Sequence, residues 1–218
     1  MSLPLELYSL CTPNGQKVAV ALEEMGLAYN SHRIDINKGD QFSDEFLAIN
    51  PNGKIPAIID PECSHNGEPL TIMESGAILI YLAEKTSMFL PTDKVARNCV
   101  IQWLMWQMGG VGPMFGQFGY FSVYAPRKSI VIEHAKERYK KEVLRLLGVL
   151  DRQLSRCEFV AGDDLSIADF AIMPWVVCLE YFYHAEQELQ LETFTYVSAW
   201  VNKLKDRPAV QRGMVVCE

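Results

Sequence analysis

The sequence predicts an α/β domain followed by an all-helical domain, and two observations carry that prediction. Up to residue 88, short strand-like runs alternate with segments of helical spacing. Beyond residue 94 no strand signal of any strength remains, and apolar residues recur at steps of three and four.

The first run, "PLELYSL", is apolar-rich and is broken by "TPNG". Val18, Ala21, Leu22 and Met25 follow at helical spacing, and Gly26 stands where a C-cap glycine belongs. "YNSHRIDI" alternates as a strand does, Gly39 and Asp40 occupy the loop after it, and "SDEFLAI" makes a brief helix stopped by "NPNG". "PAIID" resumes strand character. Asn66-Gly67 lies in an eight-residue connection to "PLTIM", which predicts an antiparallel hairpin with a longer loop. "ESGAILIYLAEKT" then turns Ile78, Leu79, Leu82 and Ala83 inward on a helix. The order βαβαββα, a parallel start plus an antiparallel hairpin and a covering helix, is the thioredoxin-like plan, here assigned to residues 1–88. "SMFLPTDK" reads as a linker.

The helical domain is assigned to residues 94–218. Residues 94–118 read as one helix kinked by "GGVGP". Ile132, Ala135, Tyr139, Val143, Leu146, Leu150 and Leu154 mark an amphipathic helix over 130–156. A third helix starts at "LSIADF", where Ser166 caps, Asp169 takes the third helical position, and Leu165 with Phe170 forms a hydrophobic staple. That pattern makes Asp169 a capping residue rather than a catalytic one. A last helix around "FTYVSAWVNKLKD" ends at Arg207-Pro208.

A net charge of −7 argues against a nucleic-acid partner, because such binding draws its affinity from neutralised phosphates. No apolar run approaches the roughly 18 residues of a membrane helix, and "MSLPLELYS" does not read as a secretion signal, so a cytoplasmic location without membrane contact is expected. Six scattered cysteines, with no Cys-x-x-Cys and no histidine placed to complete a metal-ligand cluster, predict a reducing compartment and no metal site.

Seven motifs in order, "TPNGQKV" (12–18), "GDQF" (39–42), "NPNGKIPAI" (50–58), "ESGAILIYLAEK" (74–85), "WLMWQMGGVGPM" (103–114), "ERY" (137–139) and "FVAGDDLSIAD" (159–169), together resemble the cytosolic glutathione transferases. Within that superfamily they resemble the Nu class of bacterial glutathione-dependent disulfide-bond oxidoreductases, which is also similar to the globular domain of the yeast nitrogen-regulation prion protein. The resemblance covers nearly the whole chain. It implies glutathione as co-substrate, a disulfide or electrophilic small molecule as partner, no metal, and a homodimer whose two-fold axis runs between the first helices of the helical domains.

The resemblance also implies a set of glutathione contacts. Ile55, before a cis Pro56, would pair its backbone N–H and C=O with the cysteinyl backbone of the tripeptide as an added strand does. Glu74 would hold the γ-glutamyl ammonium, while Ser75 and the helix start behind it would hold the carboxylate. Asn14 and Gln41 match polar positions, Lys54 lies beside the glycyl carboxylate, and Arg138 reaches in from the helical domain. Gln102 serves the neighbouring subunit's ligand. "WLMWQMGGVGPMFGQFGYF" would wall the second-substrate side, with Trp103 and Trp106 in the core and the later glycines and aromatics forming an adaptable pocket.

The reacting sulfur would then belong to glutathione. Bringing a thiol from a pKa near ~8.5 to about 6.5–7 requires roughly 2–3 kcal/mol of preference for the anion. One hydroxyl contributes about 1.5–3 kcal/mol and one helix N-terminus about 0.3–1 kcal/mol. Thr12 is positioned as that hydroxyl, and Asn14 with its neighbouring amides as that helix start, Pro13 removing no needed donor. Cys11 is read as a spectator. Its alternative is a mixed disulfide with glutathione, as in cysteine-type and omega enzymes. Disulfide reduction, with weak transferase and peroxidase side activities, is the first expectation; conjugation of electrophiles by the same thiolate and a non-catalytic interaction module stand beside it.

Overall fold

The protein is described here from a computed structural model covering residues 3–218; Met1 and Ser2 lie outside the described residues. It contains two compact units, residues up to Leu90 together with Asp206–Glu218, and Pro91–Lys205.

The first unit is built on a four-stranded sheet. Its strands are β1 (Leu5–Ser9), β2 (Tyr29–Arg33), β3 (Ala57–His65) and β4 (Glu68–Met73), in the order β2-β1-β3-β4. β1 runs parallel to β2 and antiparallel to β3, which runs antiparallel to β4. Leu5 and Leu7 of β1 are buried, as the alternation requires. Helix α1 (Pro13–Glu24) starts at its cap Thr12 with Pro13 in the first position, buries Val18, Ala19, Val20, Ala21 and Leu22, and is followed by Gly26 at φ 64°. Gly15 lets α1 approach the end of β1: a Cβ there would stand 2.1 Å from the Leu10 carbonyl oxygen. Helix α2 (Asp44–Ile49) is capped by Ser43, and α3 (Ser75–Thr86) buries Ile78, Leu79, Leu82 and Ala83.

Two features of this unit differ from expectation. The hairpin loop is two residues long, because Asn66 (φ 54°) and Gly67 (φ 86°) take the left-handed pair that a tight turn demands, and His65 already pairs with Glu68. The chain also does not end its helices at Pro208. Proline at a first helical position costs no hydrogen bond, and here it opens α9 (Pro208–Gly213), which packs on α1. Gly213 sets that approach, since a Cβ would meet the Val20 Cα at 2.5 Å. Arg207 grips Glu24 in a fork of 2.6 and 2.7 Å. The segment 206–218, expected with the helical domain, therefore belongs to the first unit.

The second unit holds α4 (Lys94–Trp106), α5 (Gly112–Gly119), α6 (Glu133–Leu154), α7 (Ile167–Tyr181) and α8 (Thr195–Lys205). Where a glycine kink was expected, α4 continues into α5 through a π-turn, Gln107–Val111, and a second π-turn, Tyr120–Tyr124, follows α5. α6 begins at Glu133, so Ile132 lies before it and is 48% exposed rather than inward. Tyr139 stacks on Phe121 at 5.6 Å. α7 is buried almost all round, as its largely apolar sequence dictates.

The Ser166–Asp169 capping box is present. Asp169, fully buried, accepts from the Val160 N–H (2.9 Å), the Ser166 N–H and hydroxyl (3.0 Å each) and the Trp200 indole N–H (3.0 Å). Burial pushes its carboxyl up, and these donors oppose that push. Its role is structural, and it ties α7 to α8. Among the described residues no helix is long and apolar enough to cross a membrane, and no cluster suits a metal ion.

Candidate functional site

The sheet register gathers the expected residues of the first unit at one end. Tyr8 of β1 lies opposite Ala57 of β3, and Ala57 opposite Met73 of β4. The carboxyl ends of β1 and β4 and the amino end of β3 therefore meet. Thr12, Ile55 and Glu74 follow or precede those ends by a few residues each.

Thr12 is the N-cap of α1 with extended backbone (φ −122°, ψ 162°). Its hydroxyl oxygen accepts from the Gly15 N–H at 3.5 Å, and its O–H faces the Leu10 carbonyl at 3.5 Å. Both contacts are at the long limit, so the hydroxyl proton is only loosely engaged. Asn14, half-buried, is the second residue of the same helix.

The Ile55-Pro56 bond is cis. Among the described residues neither backbone polar group of Ile55 has a hydrogen-bond partner. The loop before it is rigid: buried Asn50 donates to the Lys54 carbonyl (2.6 Å) and accepts from the Asn52 N–H (2.9 Å). Lys54 itself is exposed. Gly53, at φ 60°, sits under the Gln41 carbonyl and the Phe42 ring, so Gln41 flanks the same loop. The Gln41 amide nitrogen donates to the Ile36 carbonyl at 3.4 Å, and its amide oxygen is buried with no donor among the described residues.

Glu74 caps α3 through its backbone alone, at φ 69° and ψ 114°, and its exposed carboxylate makes no capping bond. A glutamate in the left-handed half of backbone space is uncommon and marks a position that the surroundings enforce. Ser75 is buried, and its hydroxyl oxygen lies 3.2 Å from Lys17 Nζ.

Lys17 is the residue that sequence reasoning missed. It is 1% exposed, in a helix whose other buried residues are mostly apolar. Burial pulls its ammonium down to about 7, and the Glu74 carboxylate works in the opposite direction. The signal was its place four residues before Ala21, on the stripe already read as inward.

Cys11 is half-buried. Its thiol donates to the Met214 carbonyl at 3.1 Å and accepts from the Gln16 amide at 3.5 Å. Burial pushes the thiol up, the Gln16 contact opposing, so little thiolate is present at neutral pH.

In the second unit, Gln102 is exposed on α4 and Arg138 is exposed on α6. Arg138 lines a groove of about 690 Å³ with Met114, His134, Glu137 and Glu142. Trp103 and Trp106 meet edge to face at 5.0 Å and are half-buried, not fully interior as expected. Two of the later glycines serve packing: a Cβ on Gly112 would meet the Gln107 amide at 2.7 Å, and one on Gly119 would strike the Tyr183 ring at 2.1 Å. These two admit neighbouring side chains to the helix, whereas Gly109 faces open space.

Comparison with known proteins matches both parts of the chain. Residues 12–85 match the glutathione S-transferase N-terminal domain, and residues 113–208 the glutathione S-transferase C-terminal domain. The chain is 47% identical to the disulfide-bond oxidoreductase YghU of Escherichia coli (strain K12), over 98% of this chain and 75% of that protein. A glutathione transferase from Pseudomonas putida, solved with one glutathione disulfide bound per subunit, superposes with a TM-score of 0.93 at 46% identity, over 99% of this chain and 92% of that one. A glutathione transferase family member from Pseudomonas fluorescens pf-5, solved with two glutathione bound, gives 0.92 at 47% identity, over 97% and 92%.

Proposed function

Because the chain belongs to the glutathione S-transferase family, we propose that it is a glutathione-dependent disulfide-bond oxidoreductase whose working sulfur is that of bound glutathione. The observation that carries the reading is the meeting of a loosely engaged Thr12 hydroxyl, the unpaired Ile55 backbone and the Glu74-Ser75 helix start at one end of the sheet. The unit formed by residues up to Leu90 with Asp206–Glu218 binds the tripeptide, and Pro91–Lys205 form the helical part.

Ile55 aligns the cysteinyl residue as an added strand, which fixes where its sulfur stands relative to α1. Glu74 holds the γ-glutamyl ammonium, Ser75 and the α3 amides its carboxylate, and Gln41 and Lys54 the glycyl end. Thr12 donates its O–H to the thiolate, and the start of α1 with Asn14 adds its dipole. Arg138 and, across a homodimer, Gln102 complete the tripeptide's surroundings.

The thiolate attacks one sulfur of a substrate disulfide, forming a mixed disulfide and releasing the other sulfur as a thiolate. A second glutathione thiolate attacks the mixed disulfide, giving glutathione disulfide and the second product thiolate. The substrate gains two electrons, and the protons come from the two glutathione thiols. Cys11 forms no obligatory bond in this cycle. The enzyme acts in the cytoplasm.

Thr12→Val tests the reading. A hydrogen bond to an anion contributes about 1.5–3 kcal/mol, so turnover of a small disulfide at neutral pH falls roughly 10- to 150-fold. The thiolate absorbance of bound glutathione titrates at correspondingly higher pH, and Thr12→Ser restores both. Unchanged rates in Thr12→Val would overturn the proposal. A chloronitrobenzene substrate, assayed in parallel, measures how much of the same thiolate's reactivity goes to conjugation.

A further inference from the structure

The segment after α9 returns to the turn between β1 and α1. The Cys11 N–H donates to the Cys217 carbonyl at 3.2 Å, and the Gln16 amide donates to the Met214 carbonyl at 2.9 Å, so two bonds besides the Cys11 thiol contact pin this crossing. Standard bond lengths then keep the Cα atoms of Cys11 and Cys217 within about 7 Å. A disulfide spans Cα separations of about 4.4–6.8 Å. Both cysteines are half-buried, within reach of a small oxidant, and neither is engaged in a disulfide.

We propose that Cys11 and Cys217 form a dithiol–disulfide couple, oxidised by small-molecule disulfides, that staples the carboxy-terminal segment to the β1–α1 turn. The two thiols have unequal surroundings. Burial raises both; at Cys217 the Ser31 hydroxyl and the Arg33 guanidinium favour the anion and no charge among the described residues opposes it, whereas at Cys11 the Gln16 amide favours it but Glu218 and Cys217 disfavour it. Cys217 is therefore the first attacker.

Its thiolate displaces one thiolate from the oxidant disulfide and forms a mixed disulfide on Cys217. The Cys11 sulfur, leaving the Met214 carbonyl by a turn about χ1, then attacks Cys217 Sγ and expels the second thiolate. The protein loses two hydrogens, and the oxidant becomes two thiols. The couple does not rest on the glutathione site, because exchange needs only access and proximity.

The test treats the full chain with glutathione disulfide and, separately, with hydroxyethyl disulfide, blocks residual thiols by alkylation, and maps peptides by mass spectrometry. With both oxidants the expected product links Cys11 to Cys217 and leaves Cys63, Cys99, Cys157 and Cys178 alkylated. Cys11→Ser instead retains one oxidant half on Cys217. The oxidised protein melts about 5–10 °C higher than the reduced one, since the bond closes almost the whole chain into a loop. Full alkylation of both cysteines after either oxidant, or a mixed disulfide on Cys217 that never resolves in the unsubstituted protein, overturns the proposal. Thr12→Val leaves the cross-link intact, which separates failure of this couple from failure of the proposed function.

Discussion

Lys17→Met makes the buried cation under Ser75 measurable. The folded protein holds Lys17 at about 7 against an ordinary 10.5, with burial as the main cause and Glu74 opposing it. Each pKa unit corresponds to about 1.4 kcal/mol, so the charged side chain destabilises the fold by roughly 5 kcal/mol where both states are protonated. The sign follows from proton counting. Between about 7 and 10.5 the unfolded chain keeps the proton that the folded chain has released, so the unfolded state binds more protons and stability rises with pH. Below about 7 the full penalty stands, and above 10.5 it is gone.

Methionine is of similar length and carries no charge, so it removes the penalty at the expense of the 3.2 Å contact to Ser75, a net loss of about 1 kcal/mol. Urea midpoints of the two proteins between pH 6 and 10 provide the assay. At pH 6 the variant is more stable by several kcal/mol, and the difference shrinks steadily as the pH climbs. Parallel profiles, with a constant gap across that range, would refute the reasoning, because they would mean that Lys17 titrates alike in both states.

Two substitutions test the packing that supports the site and its neighbouring unit. Asp169→Asn turns one acceptor oxygen into a donor facing the Ser166 or Val160–Trp200 donors, so two buried hydrogen bonds are lost. At about 1–3 kcal/mol each, the expected cost is roughly 2–5 kcal/mol, read as a lower midpoint in thermal unfolding; an unchanged midpoint would mean that the carboxylate is not needed as a four-fold acceptor. Gly213→Ala places a Cβ against the Val20 backbone, which cannot yield as a side chain does, and so pushes α9 off α1. Faster proteolysis of the 206–218 segment is the expected readout, and equal rates for the two proteins would contradict the close approach.

The parts of the fold legible in the sequence were those fixed within a few residues. Thr12-Pro13 announces a helix start, Gly26 its end, and Ser166 with Asp169 a capping box, because each acts on backbone groups within one turn. Asn66-Gly67 was visible as a turn but not as the whole loop, since the strand extension to His65 and Glu68 depends on pairing partners rather than on their own alternation. The start of α9 hid behind Pro208, whose two meanings, stopping one helix and opening the next, no local pattern separates. The close packing at Gly119 was not legible because the ring it admits, Tyr183, lies far along the chain.

The candidate site divides in the same way, into residues carried by short motifs and a support beneath them that no motif carries. Ile55 and Glu74 enter through the family motifs that hold them, and the β1–β3–β4 register brings the strand ends beside them to the end of the sheet that Thr12 follows. Lys17 contributes from below, through a contact with Ser75 that spans 58 positions and that periodicity registers only as a charged residue on an apolar stripe. A buried lysine under an exposed glutamate held at positive φ costs stability, and folds retain such costs where the surroundings over-determine them. The corner between α1 and α3 is thus set by interior electrostatics as much as by the residues that face outward.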